Sequence, residues 1–176
     1  MGILGLESIS CVKAFPESQQ DRIRNRRVNH ESEEVEETEM IQITRREEFC
    51  AAHRLYSAKL SEKENMILYD KCANPHYHGH NYFVEVTLRG PVDPDTGMAY
   101  NLADLKQIMR REIVDLLDHK NLNEDAKEYM KGKIPTAENI AISIWERLEE
   151  HIGRVLLYRV RLFENERNFV DYFGAE

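Results

Sequence analysis

The amino-acid sequence predicts an α+β domain in which two helices lie on one side of a four-stranded antiparallel sheet. In residues 80–89, apolar and polar side chains alternate strictly, which is the pattern of a strand that buries one face. Between residues 102 and 152, apolar residues recur in two stretches with the helical period of about 3.6 residues. These stripes predict two helices that cover the apolar face of the sheet.

The elements are expected in the order strand, strand, helix, helix, strand, strand. Ser61 and Glu64 form a capping-box pair, which predicts a further short helix after the first strand. Asn101 and Thr136 precede the two apolar stripes and are the expected N-caps. Such a small sheet leaves strand edges exposed, so we expect oligomerisation. The predicted strands cover approximately residues 40–55, 80–89, 156–164 and 168–173, the last two joined by a turn at residues 165–167.

The composition changes near residue 40. Six of the glutamates in residues 1–39 fall between Glu31 and Glu39, where like charges repel one another and little apolar surface is available for burial. We therefore expect residues 1–39 to be a mostly disordered acidic extension and residues 40–176 to form the folded domain. A regulatory or docking role for the extension has no motif to support it.

Composition also limits the partners and the compartment. The chain has 24 Lys and Arg against 32 Asp and Glu, a net charge of −8, which argues against nucleic acid as the main partner. Its apolar runs, such as residues 155–158, are too short for a transmembrane helix, so no membrane partner is expected. Three cysteines and no secretory signal indicate a reducing, cytoplasmic location rather than a disulfide framework.

A group of histidines is the most informative chemical feature. His78 and His80 lie two residues apart at the start of the best-predicted strand, so they share one face. His53 on the first strand is the candidate third ligand, and three histidines with no nearby Cys or carboxylate are typical of an open zinc site. His76 is excluded because Pro75 predicts a loop there. The alternative, that these are ordinary surface or core histidines, stays open on residue types alone.

Other reactive groups are less specific when taken alone. Cys72 precedes the histidines, and a cysteine beside a metal cation can lose its proton and act as a base or nucleophile, whereas the alternative is an inert buried thiol. Asp118 and His119 are neighbours at the end of the first helix, so they would pair only in a turn conformation and otherwise form an exposed charged pair. Glu138 and Glu164 are ordinary acidic residues of a helix's first turn and a hairpin.

The order of the motifs along the chain is more specific than any one of them. The motifs are Ala52–Ser57, Lys71-Cys72 with Asn74-Pro75, His78–Tyr82, Asp93-Pro94 with Thr96–Met98, Asn101–Lys106, Leu117–Leu122 and Glu138-Asn139. Together, over about three quarters of the chain, they resemble the 6-pyruvoyl-tetrahydropterin synthase family. The 39-residue extension has no counterpart in that family.

This resemblance implies a tunnelling fold (T-fold), in which the sheets of three subunits form a barrel and two trimers stack into a hexamer. It implies Cys72 as the general base, assisted by Asp118 and His119 from a neighbouring subunit. It implies one zinc ion per subunit with three ligands, His53, His78 and His80.

The resemblance also implies the substrate residues and the reaction. Glu164 would anchor the pterin ring, and Thr136 and Glu138 would line its pocket. The implied reaction, that of a carbon–oxygen lyase, converts 7,8-dihydroneopterin triphosphate to 6-pyruvoyl-tetrahydropterin with loss of triphosphate. It needs a base to remove carbon-bound protons and a metal to acidify them. The resemblance does not settle whether a magnesium ion binds the phosphates. It also does not identify the lysines or arginines that bind them.

Two alternative functions stay open beside this one. The first is the 6-carboxy-tetrahydropterin synthase reaction, although the spacing from Cys72 to His78, with Asn74-Pro75 between them, resembles the pyruvoyl class. The second is a noncatalytic pterin- or metal-binding oligomer. Cys72, Asp118 and His119 argue against this second function, because a binding protein needs neither a base nor a proton relay.

Overall fold

A mixed five-stranded sheet forms the centre of the fold. The structure, a computed structural model, describes residues 39–153 and 156–175, so the expected disordered extension falls almost entirely outside the described residues. The strands occur in the order β3-β1-β2-β4-β5, and all neighbours are antiparallel except β3 with β1. The strand bounds are β1 Met40–His53, β2 His78–Pro91, β3 Lys120–Asn121, β4 Leu157–Phe163 and β5 Phe169–Tyr172.

The α+β class is confirmed, whereas the prediction of four strands is wrong by one. The additional strand, β3, contains two residues and pairs with Ala51 and Ala52 of β1. Two residues are too few to produce a recognisable alternation of apolar and polar side chains. This strand therefore left no pattern from which it could be predicted.

The predicted helices and their N-caps are confirmed. Ser61 forms the predicted capping box, and the side chains of Asn101 and Thr136 accept hydrogen bonds from Ala103 N and Asn139 N. The helices are α1 Glu62–Tyr69, α2 Leu102–Met109, α3 Asp115–Leu117, α4 Lys127–Met130 and α5 Ala137–Ile152, with a π-helical segment Arg110–Val114 between α2 and α3. None of the helices in the described ranges combines the length and apolar character needed to cross a bilayer.

The core lies between one face of the sheet and the apolar stripes of the helices. The predicted inward face of β2 is fully or almost fully buried. Leu102 and Leu116 belong to the predicted apolar stripe of the first helix, but both side chains are exposed. Leu102 is the first residue of the helix, and the π-helical segment before Leu116 has a wider turn, which changes the helical repeat assumed for the stripe. The main core residues are Tyr82, Val84, Val86, Leu88, Leu105, Met109, Ile140, Ile144 and Leu148.

A buried asparagine fixes the connection between β1 and α1. The Asn65 side-chain oxygen accepts a hydrogen bond from Ser57 N at 2.7 Å. Its amide nitrogen donates to the carbonyl oxygens of Ser57, Leu60 and Ser61 at 3.0–3.1 Å. Because all these groups are backbone groups of one loop, Asn65 determines the path by which the chain leaves the sheet and enters α1.

A strained residue ends α1. Asp70 has φ 47° and ψ −125°, a backbone conformation that is costly for a residue with a Cβ atom. It begins the 3₁₀ turn Asp70–Ala73, which contains Cys72. The conformation of Asp70 therefore sets the direction of the chain immediately before Cys72.

We expect Asn65→Asp to lower the free energy of unfolding by about 2 kcal/mol or more, because it removes the donor and places a carboxylate against three carbonyl oxygens. Urea unfolding of the wild-type protein and the variant measures the difference. Gln107→Glu, the same amide-to-acid change on the exposed side of α2, is the matched control and should change stability little. Equal effects of the two substitutions would contradict the role assigned to Asn65.

We expect Asp70→Gly to raise the free energy of unfolding by about 1 kcal/mol, since relief of strain exceeds the additional chain entropy of glycine. Urea unfolding of the wild-type protein and the variant measures this change in the free energy of unfolding. Asp70→Ala removes the carboxylate but keeps the Cβ atom, so it should not stabilise the protein. Stabilisation by alanine as large as that by glycine would show that the carboxylate, and not the backbone, is responsible.

Candidate metal centre and substrate cleft

The pairing of β1 with β2 brings three histidines together. His53, the last residue of β1, lies opposite His78, the first residue of β2. His80 shares the face of His78 because strand side chains alternate. One ring nitrogen from each histidine lies within 4.8 Å of the others, and His53 is fully buried. His76 lies in the turn before β2, outside this group, as the sequence predicted.

A hydrogen bond to a backbone carbonyl orients the ring of His53. Its Nδ1 lies 2.7 Å from the carbonyl oxygen of Pro135, which can only accept, so Nδ1 carries the proton and donates it. Nε2 is therefore unprotonated, and it lies 3.0 Å from His78 Nε2. A ring nitrogen with a free electron pair, held by a hydrogen bond from the other nitrogen, is the usual arrangement of a metal-binding histidine.

The electrostatics of the triad also fit a metal ion. Burial lowers the pKa of His53 to about 4, and repulsion from His78 and His80 adds to this while the Pro135 hydrogen bond opposes it. Burial and His80 also lower the pKa of His78. His78 Nδ1 and His80 Nε2 are buried and make no hydrogen bond to the described residues. Three close imidazole rings, two of which have a buried nitrogen without a hydrogen bond to the described residues, form a donor set suited to zinc.

A carboxylate lies beside the triad, contrary to the expectation that none would be nearby. Glu164 immediately follows β4, and its Oε1 is 3.7 Å from both His53 Nε2 and His80 Nε2. The hairpin pattern around Glu164 gave no indication of this proximity, because it depends on pairing between strands far apart in sequence. Glu164 therefore brings a negative charge to the edge of the triad.

Glu164 also lines a cleft of about 360 Å³, and the other two predicted substrate residues line it with Glu164. The Thr136 hydroxyl caps α5 by accepting a hydrogen bond from Asn139 N, and Glu138 lies in the first turn of the same helix. The full lining consists of Leu55, Thr136, Ala137, Glu138, Glu164, Asn168, Phe169 and Val170. The structure thus brings the three predicted substrate residues into one cleft beside the histidines.

Cys72 is connected to the same cleft through its backbone. Its carbonyl oxygen accepts a hydrogen bond from Leu55 N at 2.8 Å, and Leu55 lines the cleft. Burial raises the pKa of the Cys72 thiol, and the negative charges of Glu164 and Asp70 raise it further. A positive charge nearby would lower the pKa of this thiol.

Asp118 and His119 form the pair that the sequence allowed only in a turn conformation. His119 adopts φ 57°, and its Nδ1 lies 2.8 Å from Asp118 Oδ2. Asp118 Oδ1 accepts from Cys50 N, a hydrogen bond that lowers the pKa of Asp118, while His119 N donates to Cys50 O. The His119 side chain is 83% exposed, and neither member of the pair lines the cleft. The pair is thus formed but is separate from the cleft of its own chain.

One further contributor had no sequence signal. Pro135 acts through its backbone carbonyl, and any residue type can supply a carbonyl oxygen. Its position directly before Thr136 connects the orientation of His53 to the start of α5. Only the folded structure could show this contact, since no side-chain pattern encodes it.

Comparisons with known proteins agree with this arrangement. The sequence model of the family described as 6-pyruvoyl tetrahydropterin synthase matches residues 42–175. The chain is 49% identical over 133 residues to a protein of Pongo abelii named 6-pyruvoyl tetrahydrobiopterin synthase, covering 76% of this chain and 91% of the relative. The Homo sapiens protein of the same name is 48% identical over the same length, with the same coverage.

The fold is likewise similar to a solved structure. The Caenorhabditis elegans 6-pyruvoyl tetrahydropterin synthase superposes with a TM-score of 0.74 at 42% sequence identity, covering 78% of this chain and 98% of that protein. The family match spans β1 to β5 and includes the triad, Cys72 and the cleft. The chain therefore belongs to the 6-pyruvoyl tetrahydropterin synthase family and has its tunnelling fold.

Proposed function

We propose that this protein is a zinc-dependent 6-pyruvoyl-tetrahydropterin synthase, a carbon–oxygen lyase of tetrahydrobiopterin biosynthesis. Its substrate would be 7,8-dihydroneopterin triphosphate, and its products 6-pyruvoyl-tetrahydropterin and triphosphate. The observation that carries the proposal is the position of Glu164, which lines the cleft and lies 3.7 Å from two histidines of the triad. A substrate bound to this carboxylate lies next to the triad.

Glu164 has the chemistry to recognise the pterin ring. A carboxylate has two acceptor oxygens and can bind two parallel N–H donors, which the ring N–H and the 2-amino group supply. Thr136 and Glu138 lie across the cleft at the start of α5 and can contact the polar edge of the same ring. The cleft volume of about 360 Å³ is in the range of small-molecule sites.

The proton transfers are assigned to Cys72, His119 and Asp118. His53, His78 and His80 would hold zinc, whose charge would polarise the substrate's side-chain oxygens and favour the thiolate of Cys72. Cys72 then removes carbon-bound protons from the side chain, and His119, oriented by Asp118, returns protons. The high exposure of His119 and its absence from its own cleft support a role in the cleft of a neighbouring subunit.

The free edges of the sheet support oligomerisation, and the family resemblance implies that the oligomer is a hexamer built from two trimers. In the described residues, β3 pairs only with Ala51 and Ala52, so the outer edge of β1 from Met40 to Phe49 has no strand beside it. β5 forms the opposite edge. Pairing between these edges of adjacent subunits would satisfy the backbone groups and continue the sheet around a barrel. The few cysteines continue to favour the cytoplasm.

The test of this proposal is identification of the product. Purified zinc-loaded protein is incubated with 7,8-dihydroneopterin triphosphate, the pterin is identified by mass spectrometry, and released triphosphate is quantified. We expect 6-pyruvoyl-tetrahydropterin with one triphosphate per pterin. A carboxylated pterin would assign the 6-carboxy-tetrahydropterin synthase reaction instead, and bound zinc without turnover would indicate a binding protein.

We expect Cys72→Ala to lower kcat in this assay by roughly 100- to 10,000-fold, the usual contribution of a general base. Zinc content and oligomer size should not change, because the substitution leaves the backbone contact with Leu55 intact. Cys50→Ala is the matched control, since Cys50 contacts Asp118 and His119 only through its backbone. Full activity of Cys72→Ala would exclude the thiol as the base.

A further inference from the structure

An arginine beside the triad has no role in the reaction as described above. Arg54 follows His53 directly, and its guanidinium reaches the turn that contains Cys72. Arg54 Nε donates a hydrogen bond to the carbonyl oxygen of Ala73 at 2.8 Å. The guanidinium carbon also lies 4.3 Å from the centre of the Tyr56 ring. The guanidinium is thus held at its edge by a hydrogen bond and on its face by an aromatic ring.

The backbone of Arg54 is fixed as firmly as its side chain. Asn123 Oδ1 accepts from Arg54 N at 2.7 Å, and Asn123 Nδ2 donates to Arg54 O at 3.0 Å. Asn123 follows β3 by two residues, so its side chain continues the pairing of β1 after the backbone ladder ends. Arg54 therefore projects from a rigid point, and the position of its guanidinium follows from that of the sheet.

Two hydrogen bonds connect this rigid point to the turn with Cys72. One joins backbone groups, from Leu55 N to Cys72 O. The other is the contact from Arg54 Nε to Ala73 O, on the residue directly after Cys72. Only the second bond depends on a side chain, so a substitution can remove it. The turn itself begins at the strained Asp70, which gives it a tendency to relax when a contact is lost.

We infer that Arg54 is a positioning residue that holds Cys72 in the orientation needed for proton abstraction. The inference rests on the proposed function, because it assumes that Cys72 is the base. Proton transfer from carbon depends on close approach and alignment, so a displacement of about 1 Å can lower the rate by about 100-fold. We expect that lysine cannot replace arginine here. An ammonium group is not planar, so it cannot stack on the Tyr56 ring and donate to the Ala73 carbonyl oxygen at the same time.

The test uses Arg54→Gln and Arg54→Lys with three measurements. We expect kcat to fall by about tenfold or more while KM changes by less than about threefold, the signature of lost alignment. Zinc content should stay at the wild-type value. The rate of Cys72 alkylation by iodoacetamide, followed by mass spectrometry, should rise by about threefold or more, because a loosened turn exposes the half-buried thiol.

The matched control is Arg89→Gln. Arg89 also lies over a tyrosine, with its guanidinium carbon 5.6 Å from the Tyr158 ring centre, but it is near the opposite end of β2 from the histidines. This substitution should leave kcat and the alkylation rate unchanged. Alkylation needs no turnover, so it tests Arg54 even if the product assay contradicts the proposed function.

Three results would overturn the inference. A rise in KM with unchanged kcat, together with weaker inhibition by inorganic triphosphate, would assign the guanidinium to binding of the phosphates. Loss of zinc in parallel with kcat would mean that Arg54 acts through His53. Values of kcat and of the alkylation rate within about twofold of wild type would show that Arg54 does not position Cys72. If Arg54→Gln does not fold, Arg54→Lys, which keeps the charge and the long aliphatic side chain, decides between these outcomes.

Discussion

The register between β1 and β2 is the constraint on which the whole site depends. It pairs fourteen residues of each strand, from Met40 with Pro91 to His53 with His78. A shift by one residue would turn His78 and His80 to the opposite face and separate them from His53. The register is held by the core directly beneath the triad, where the rings of Phe49 and Tyr82 stack at 5.1 Å. Packing of this core and formation of the triad therefore depend on the same register.

A hydrogen bond between His53 and the Pro135 carbonyl connects the triad to the cleft. The Pro135 carbonyl fixes the proton of His53, and the next residue caps the helix whose first turn lines the cleft. The carboxylate of Glu164 lies beside two imidazoles of the triad, and burial lowers the pKa of one of them, His53, to about 4. A cation held by the triad would offset the negative charges that raise the pKa of the Cys72 thiol.

Local patterns in the sequence were sufficient for much of the fold and part of the site. β2, the capped helices and the shared face of His78 and His80 each follow from neighbouring residues, whereas the roles proposed for Cys72 and Glu164 came from family resemblance. β3 was missed because two residues form no pattern. The approach of Glu164 to the triad depends on pairing of Phe163 with Phe83, eighty residues earlier, and no local pattern reports such a contact.

The most direct test of this account is the amount of zinc bound per chain, measured by elemental analysis after purification without added metal and after zinc loading. The account predicts about one zinc per chain in the loaded wild-type protein and in Glu164→Gln, and almost none in His78→Ala. Retention of zinc by His78→Ala would contradict the three-histidine centre. Loss of zinc from Glu164→Gln alone would make Glu164 a metal ligand rather than the residue that binds the pterin.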